Sequence, residues 1–254
     1  MAKSKHYYFR KTHRYLGVIL GIQFLFWTLG GLYFSWSNID EIHGDFQRKQ
    51  PLKLPGNVKL VSPDSVLRQL RQKVDFINSA QLVNILQQPY FSITYYSQGK
   101  LLTLLADATT ARIRLPISKE EAVQIAATSF NGTPTLKSVE YITTTNGHHE
   151  YREKPLPAWA VTFAHPTNTT IYISSEFGRV EAFRNNKWRL FDFLWMMHTM
   201  DYKERDNFNN WLLRGFALFG LLTVLSGFVL YWISSKRGKG RKPGFQPSTN
   251  QQTA

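Results

Sequence analysis

The chain has no cysteine, which removes disulfides, thiolate metal sites, iron–sulfur clusters and covalent c-type haem attachment from its chemistry. Any metal or haem would have to be held by histidine, methionine, carboxylate or amide groups. Acids are also scarce, 17 Asp and Glu against 31 Lys and Arg in 254 residues, for a formal charge of +14. Two stretches, Tyr15 to Trp36 and Gly215 to Ser235, contain no Asp, Glu, Lys, Arg or His. At about 1.5 Å of rise per residue each reaches roughly 30 Å, the thickness of a bilayer hydrocarbon core. A glycine-rich dinucleotide fingerprint is missing too, so the chain is not expected to oxidise NADH itself.

The uncharged stretches read as two transmembrane helices. A buried helix of a soluble protein is the alternative, but such helices seldom run uncharged on every face for this length. A cleaved signal peptide is a second alternative for the first stretch. Against it stand a run longer than a typical signal core and no small-x-small site after Leu32-Tyr33-Phe34-Ser35-Trp36.

The location of the charge decides what it means. Lys3, Lys5, Arg10, Lys11 and Arg14 precede the first span, Lys236, Arg237, Lys239, Arg241 and Lys242 follow the second, and neither tail carries an acid. That pattern places both termini on the cytoplasmic side of a membrane and the central domain outside, and it removes the argument for nucleic acid as a partner. Trp36, Trp211 and Trp232 sit near span ends, as interfacial aromatics do. The expected divisions are a basic N-terminus (1–14), a first span (15–36), a periplasmic domain (37–187), an interfacial amphipathic segment (188–206), a second span (207–235) and a basic, disordered tail (236–254).

Within the central domain a short helix followed by strand-like runs occurs twice, over about 62–115 and 118–184. Ser62-Pro63-Asp64 is an N-cap with proline at the first turn, and Val66, Leu67, Leu70 and Val74 follow at helical spacing. Strands are expected at Gln81–Leu86, Tyr90–Tyr96, Leu101–Ala106 and Ala111–Leu115, with a turn at Ser97-Gln98-Gly99. In the second repeat Ser118-Lys119-Glu120-Glu121 is a capping box. Strands are expected at Trp159–Phe163, Thr170–Ser174 and Arg179–Phe183, the last two joined through Glu176-Phe177-Gly178. The expected fold is an α+β layer repeated, a helix on one face of an antiparallel sheet.

This pattern resembles PepSY domains. Arg10-Lys11-Thr12-His13-Arg14-Tyr15-Leu16-Gly17, Trp195-Met196-Met197-His198 and Leu225-Ser226-Gly227-Phe228 extend the likeness to the PepSY-associated transmembrane family over nearly the whole chain. That family includes inner-membrane haem-containing ferric reductases, among them siderophore-iron reductases and smaller two-span VciB-type proteins, and the layout here is the smaller one. The resemblance implies b-type haem.

Imidazole is the natural axial ligand in a chain without cysteine. His13 lies at the inner end of the first span with Gly17 and Gly21 following on the same helical face, a ligand above a groove. On spacing alone, a snorkelling histidine beside a small-residue helix contact explains the same residues; the resemblance favours the ligand. His43 after the first span and His198 before the second are expected near the outer surface, within reach of each other, oriented by Asp40 and Asp201. The alternatives are a helix C-terminal histidine before a Gly cap for His43 and a core-facing ring for His198. Since His13 and His43 are a full span apart, they cannot clamp one haem. The simplest partner for His13 is His13 of a second chain, in a homodimer with a four-helix transmembrane bundle. Arg10 and Arg14, with Lys11 and Arg214, are candidates to neutralise haem propionates. His148 and His149, beside Glu150, are a surface-iron candidate, although adjacent histidines in a polar loop are more often solvated, and His165 before Pro166 reads as a turn residue.

The expected function is a haem b transmembrane electron carrier that reduces ferric iron, free or chelated, in the periplasm. Electrons would come from quinol or a redox protein. The alternative is a non-enzymatic, membrane-anchored PepSY binding or regulatory module.

Overall fold

The structure is a computed structural model that describes residues 5–51 and 53–237; Lys3 and the tail from residue 238 on, expected to be basic, lie outside them. Helix α1 runs Lys5–Trp36, so the first span continues a helix that begins well inside the basic N-terminal segment. Helix α2, Ile39–His43, is capped by Asn38, whose side chain accepts from Asp40 N–H, and ends at Gly44 with φ of 75°. A 3₁₀ turn over Asp45–Gln47 follows.

Helix α3 is Pro63–Leu67, with Ser62 as N-cap and Pro63 in the first turn. It is shorter than the spacing of Val66, Leu67, Leu70 and Val74 predicts, yet all four pack on the first sheet, beside Phe91, Ile93, Tyr95 and Leu104. The apolar pattern reports the buried face even where the hydrogen-bonded helix stops. Strands β1 (Phe76–Ile85), β2 (Gln88–Ser97), β3 (Lys100–Asp107) and β4 (Ile113–Arg114) form an antiparallel meander in that order.

Helix α4, Lys119–Ser129, starts with the predicted capping box: Ser118 accepts from Glu121 N–H and the Glu121 carboxylate accepts from Ser118 N–H. Strands β5 (Leu136–Ile142), β6 (Ala158–Phe163), β7 (Thr170–Ser174) and β8 (Val180–Arg184) form a second antiparallel meander. β5 is absent from the sequence expectation. It is an edge strand with most side chains exposed, so little apolar alternation marks it. Its neighbour β6 alternates: Val161 and Phe163 face α4 with Ile171, Ile173 and Phe183. Ala158 and Ala160 face the opposite side with Tyr151 and Tyr172. Ile85 and Leu105 of the first repeat complete the core under α4.

Helix α5 is Asn186–Thr199 and helix α6 is Trp211–Arg237. Ionic contacts hold the N-terminal half of α5 to the second sheet. Arg189 Nε donates to Glu150 at 2.6 Å, the Tyr172 hydroxyl donates to the same carboxylate at 2.7 Å, and Asp192 is paired with both Arg152 and Arg205. Low dielectric around Tyr172, together with the Glu150 carboxylate, pushes its phenol far above the ordinary range.

α1 and α6 are long and apolar enough to cross a membrane over Arg10–Trp36 and Trp211–Trp232, and within an apolar 18-residue stretch of each only 11% and 6% is buried within the chain. A core helix of a soluble protein would be mostly covered. The chain divides into a helical unit (residues up to Gly31, Met197–Asp201 and those from Asp206 on) and a sheet unit (Leu32–Met196 with Tyr202–Arg205).

Candidate functional site

In the helical unit α1 and α6 meet through aromatic and polar groups on one side and glycine on the other. The Phe24 and Phe216 rings lie 5.4 Å apart, and a Cβ on Gly220 would meet the Phe24 ring at 3.8 Å. Ten residues from Phe216 along α6, the Ser226 Oγ is 2.6 Å from His13 Nδ1. The Ser226 hydroxyl donates to Thr223 O at 2.7 Å, within its own helix. A hydroxyl has one proton, so that donation leaves it only as an acceptor toward the imidazole. A neutral His13 that donates from Nδ1 to this hydroxyl would present its Nε2 lone pair. Metal-bound histidines show this same division, one nitrogen held by a neighbour and the other presented to the ion.

Gly227 lies next to the ring, where a Cβ would reach His13 Cε1 at 4.0 Å. At Gly17 and Gly21 a Cβ would meet nothing within 4 Å. The contact with α6 is thus made at Gly220 and Gly227, while Gly17 and Gly21 leave open space along α1 one and two turns from His13. Within one chain, Gly17 and Gly21 make no contact with α6. Arg10 and Arg14 are exposed at this end of α1. Arg14 and Lys11 each lie 5.8 Å from the Tyr15 ring centroid, and Arg214 lies 5.5 Å from that of Trp211.

The second imidazole of the helical unit belongs to the end of α5. His198 stacks on Trp27 with ring centroids 4.5 Å apart and planes 11° from parallel. Helix C-terminal carbonyls have no partners inside their own helix, and here side chains supply them. Gln23 Nε2 donates to Met197 O at 3.3 Å, Trp27 Nε1 to His198 O at 2.9 Å and Asn210 Nδ2 to Thr199 O at 3.0 Å. Three consecutive carbonyls are met by α1, by α1 again and by the residue preceding α6. Two of the donors are in the body of an apolar helix, where an unmet carbonyl is most costly. Asp201 accepts from Asn207 N–H at 2.9 Å and anchors the return to α6.

The expected position of His198 is changed by this geometry. It lies against Trp27, nine residues before the end of α1, rather than beyond that end. The chain returns from α5 through a polar turn before entering α6, which sequence distance from the second span does not convey. His13 and Trp27 are fourteen residues apart on one helix, about 21 Å of rise. One chain therefore does not bring His13 and His198 to the same iron.

His43, His148, His149 and His165 are in the sheet unit. His43 is exposed in the last turn of α2 before Gly44, the arrangement of an ordinary helix terminus. His149 Nδ1 accepts from Tyr151 N–H at 3.0 Å, and the His148 amide donates to Asn146 Oδ1 at 3.0 Å, so this pair shapes its own turn. Among the described residues no group of three or more His, Cys, Asp or Glu could hold a metal ion, which leaves His148 and His149 without a third ligand. His165 is a turn residue, as expected, with Nδ1 2.6 Å from Thr167 Oγ1.

Gln23, Trp27, Thr223 and Asn210 carry this site without a local motif. The one available signal is Gln23, the single amide in an otherwise apolar stretch.

Fold and site together define a class: an α+β domain of two meander sheets between two helices that could cross a bilayer, with His13 on the first of these helices and His198 of α5 stacked against it. No family model matches the chain, and no curated protein or solved structure matches it either.

Proposed function

We propose that the chain is a b-type haem protein of the bacterial inner membrane that reduces ferric iron, free or chelated, on the periplasmic side in support of iron uptake. The observation that carries this reading is the pairing of His13 Nδ1 with Ser226 Oγ at 2.6 Å, which leaves Nε2 as the nitrogen able to take a ligand, with Gly17 and Gly21 following it along α1. Those residues fit an axial ligand and room for a planar ring. His198 is the second ligand candidate, its ring plane held by Trp27. Bound haem supplies reversible one-electron chemistry at iron.

The protein residues have separate tasks in this reading. His13 and Ser226 hold the inner position, and His198 with Trp27 and Gln23 holds another about 21 Å along α1. His13 of a second copy of the chain would hold the same haem from the other side of a homodimer whose four helices form a bundle. Arg10 and Arg14 balance propionate charge at the inner end, quinol or a redox protein donates the electrons, and membrane lipid surrounds the bundle.

The test is ferric citrate reduction by spheroplasts expressing the chain, followed with an impermeant ferrous chelator. Wild type is expected to raise the rate above vector control, and His13→Ala and His198→Ala to return it to control. Equal rates in all three, together with a colourless purified protein that retains an envelope protein, would replace this reading with the binding module.

A further inference from the structure

A cavity lies between the two sheet repeats. It encloses about 350 Å³, within the range of pockets that bury small organic molecules, and lies where two structural repeats meet. Four pieces wall it: the strap that follows the 3₁₀ turn, the β1–β2 hairpin end, the last turn of α4, and the β7–β8 turn with β8. The strap is fixed by backbone bonds, Lys49 N–H to Ser129 O at 2.9 Å and Asn131 N–H to Gln47 O at 2.7 Å. The hairpin end is seated so closely that a Cβ on Gly178 would come within 2.3 Å of Ile85 Cδ1. The enclosure is therefore built, and does not depend on a loose loop.

Its chemistry is divided. Val83, Ile85, Ile125, Val180 and Phe183 make an apolar floor. Arg48 and Lys49 also line the cavity, both exposed, with the Arg48 guanidinium 4.8 Å from the Phe183 ring centroid. Arg179 is a third cation, paired with Glu181 at 2.6 Å. None of the residues that wall the cavity is acidic, so Arg48 and Lys49 present positive charge that the wall does not balance. The two-residue turn Leu86-Gln87 has φ of 52° and 66°, a region that residues other than glycine seldom occupy. In that conformation Leu86 packs on the core under α4 and Gln87 lines the cavity.

We propose that this cavity binds a small organic carboxylate, with an apolar body on the floor and the carboxylate between Arg48 and Lys49. The planar guanidinium matches a carboxylate in geometry, the ammonium adds a point charge, and stacking on Phe183 orients the guanidinium before the ligand arrives. The site is independent of haem binding.

Calorimetry on the full chain in lipid nanodiscs, with empty nanodiscs as control, tests it using naphthoate and the neutral isostere naphthylmethanol. Naphthoate is expected to bind saturably and about tenfold or more tighter than the alcohol. Arg48→Ala combined with Lys49→Ala is expected to reduce naphthoate to the affinity of the alcohol while leaving the alcohol unchanged, which also shows that the variant is folded. Ser129→Trp fills the cavity and is expected to abolish binding of both. No saturable naphthoate heat in the wild type, undiminished naphthoate binding in the double variant, or unchanged binding in Ser129→Trp would overturn the proposal.

Discussion

Ser226 Oγ lies 2.6 Å from His13 Nδ1 and 2.7 Å from Thr223 O, a position from which it can hold Nδ1–H and leave Nε2 for a ligand. Ser226→Ala removes the acceptor for Nδ1–H, so both tautomers become accessible and the ring loses its fixed plane. Loss of such an outer partner typically weakens metal binding by about 10–100-fold, and haem retention in the purified variant is expected to fall accordingly. Ser226→Thr keeps the hydroxyl and is expected to retain haem. Gln87 makes a different point, since its left-handed backbone carries a cost that glycine avoids. Gln87→Gly is expected to raise stability by about 1 kcal/mol in chemical denaturation. The tautomer of His13 cannot be read from a motif, because Ser226 lies 213 positions away in sequence. The Leu86-Gln87 turn is hidden for the opposite reason, since it lacks the Asn-Gly or Asp-Gly pair by which such turns are known.

Among the elements, α5 joins a charged start to an end whose carbonyls are met from α1. Asp192 has 4% of its side chain exposed and serves both Arg152 and Arg205. Asp192→Ala leaves two guanidinium groups short of a partner and is expected to cost roughly 3–5 kcal/mol, measured as a drop in unfolding midpoint. At the other end Trp27→Phe keeps a ring against His198 but removes the donor to its carbonyl, at a cost of about 1–3 kcal/mol. The β3–β4 turn offers a pH test. The Thr109 hydroxyl, with the Thr109 and Thr110 amides, holds the Asp107 carboxylate below its ordinary value. A depressed carboxylate contributes stability above its unfolded pKa and loses it as pH falls through the folded one. Asp107→Asn is therefore expected to lessen the acid-side loss of stability while lowering stability at neutral pH. Helix caps at Ser62 and Ser118, and the turns at Ser97-Gln98-Gly99 and Glu176-Phe177-Gly178, were legible because each is a local rule satisfied within a few residues. β5 was not, because an exposed edge strand needs no apolar alternation. The contact of α5 with Trp27 was not, because it joins residues 171 positions apart.

For the whole molecule, the two uncharged stretches and their basic flanks give the helical layout directly from the sequence. The histidines needed the structure to be sorted. His43, His148 and His149 fall in the sheet unit on local duties, and His13 and His198 fall in the helical unit at separate levels of α1. The sheet unit then carries its own cavity, apart from the imidazoles. The central claim is that His13 presents Nε2 to a haem iron, and the reduced-minus-oxidised spectrum of the purified chain tests it most directly. The account predicts Soret and α bands of a b-type haem in the wild type and loss of a defined fraction of haem per chain in His13→Ala. A colourless wild type, or a His13→Ala variant with undiminished haem, would contradict it.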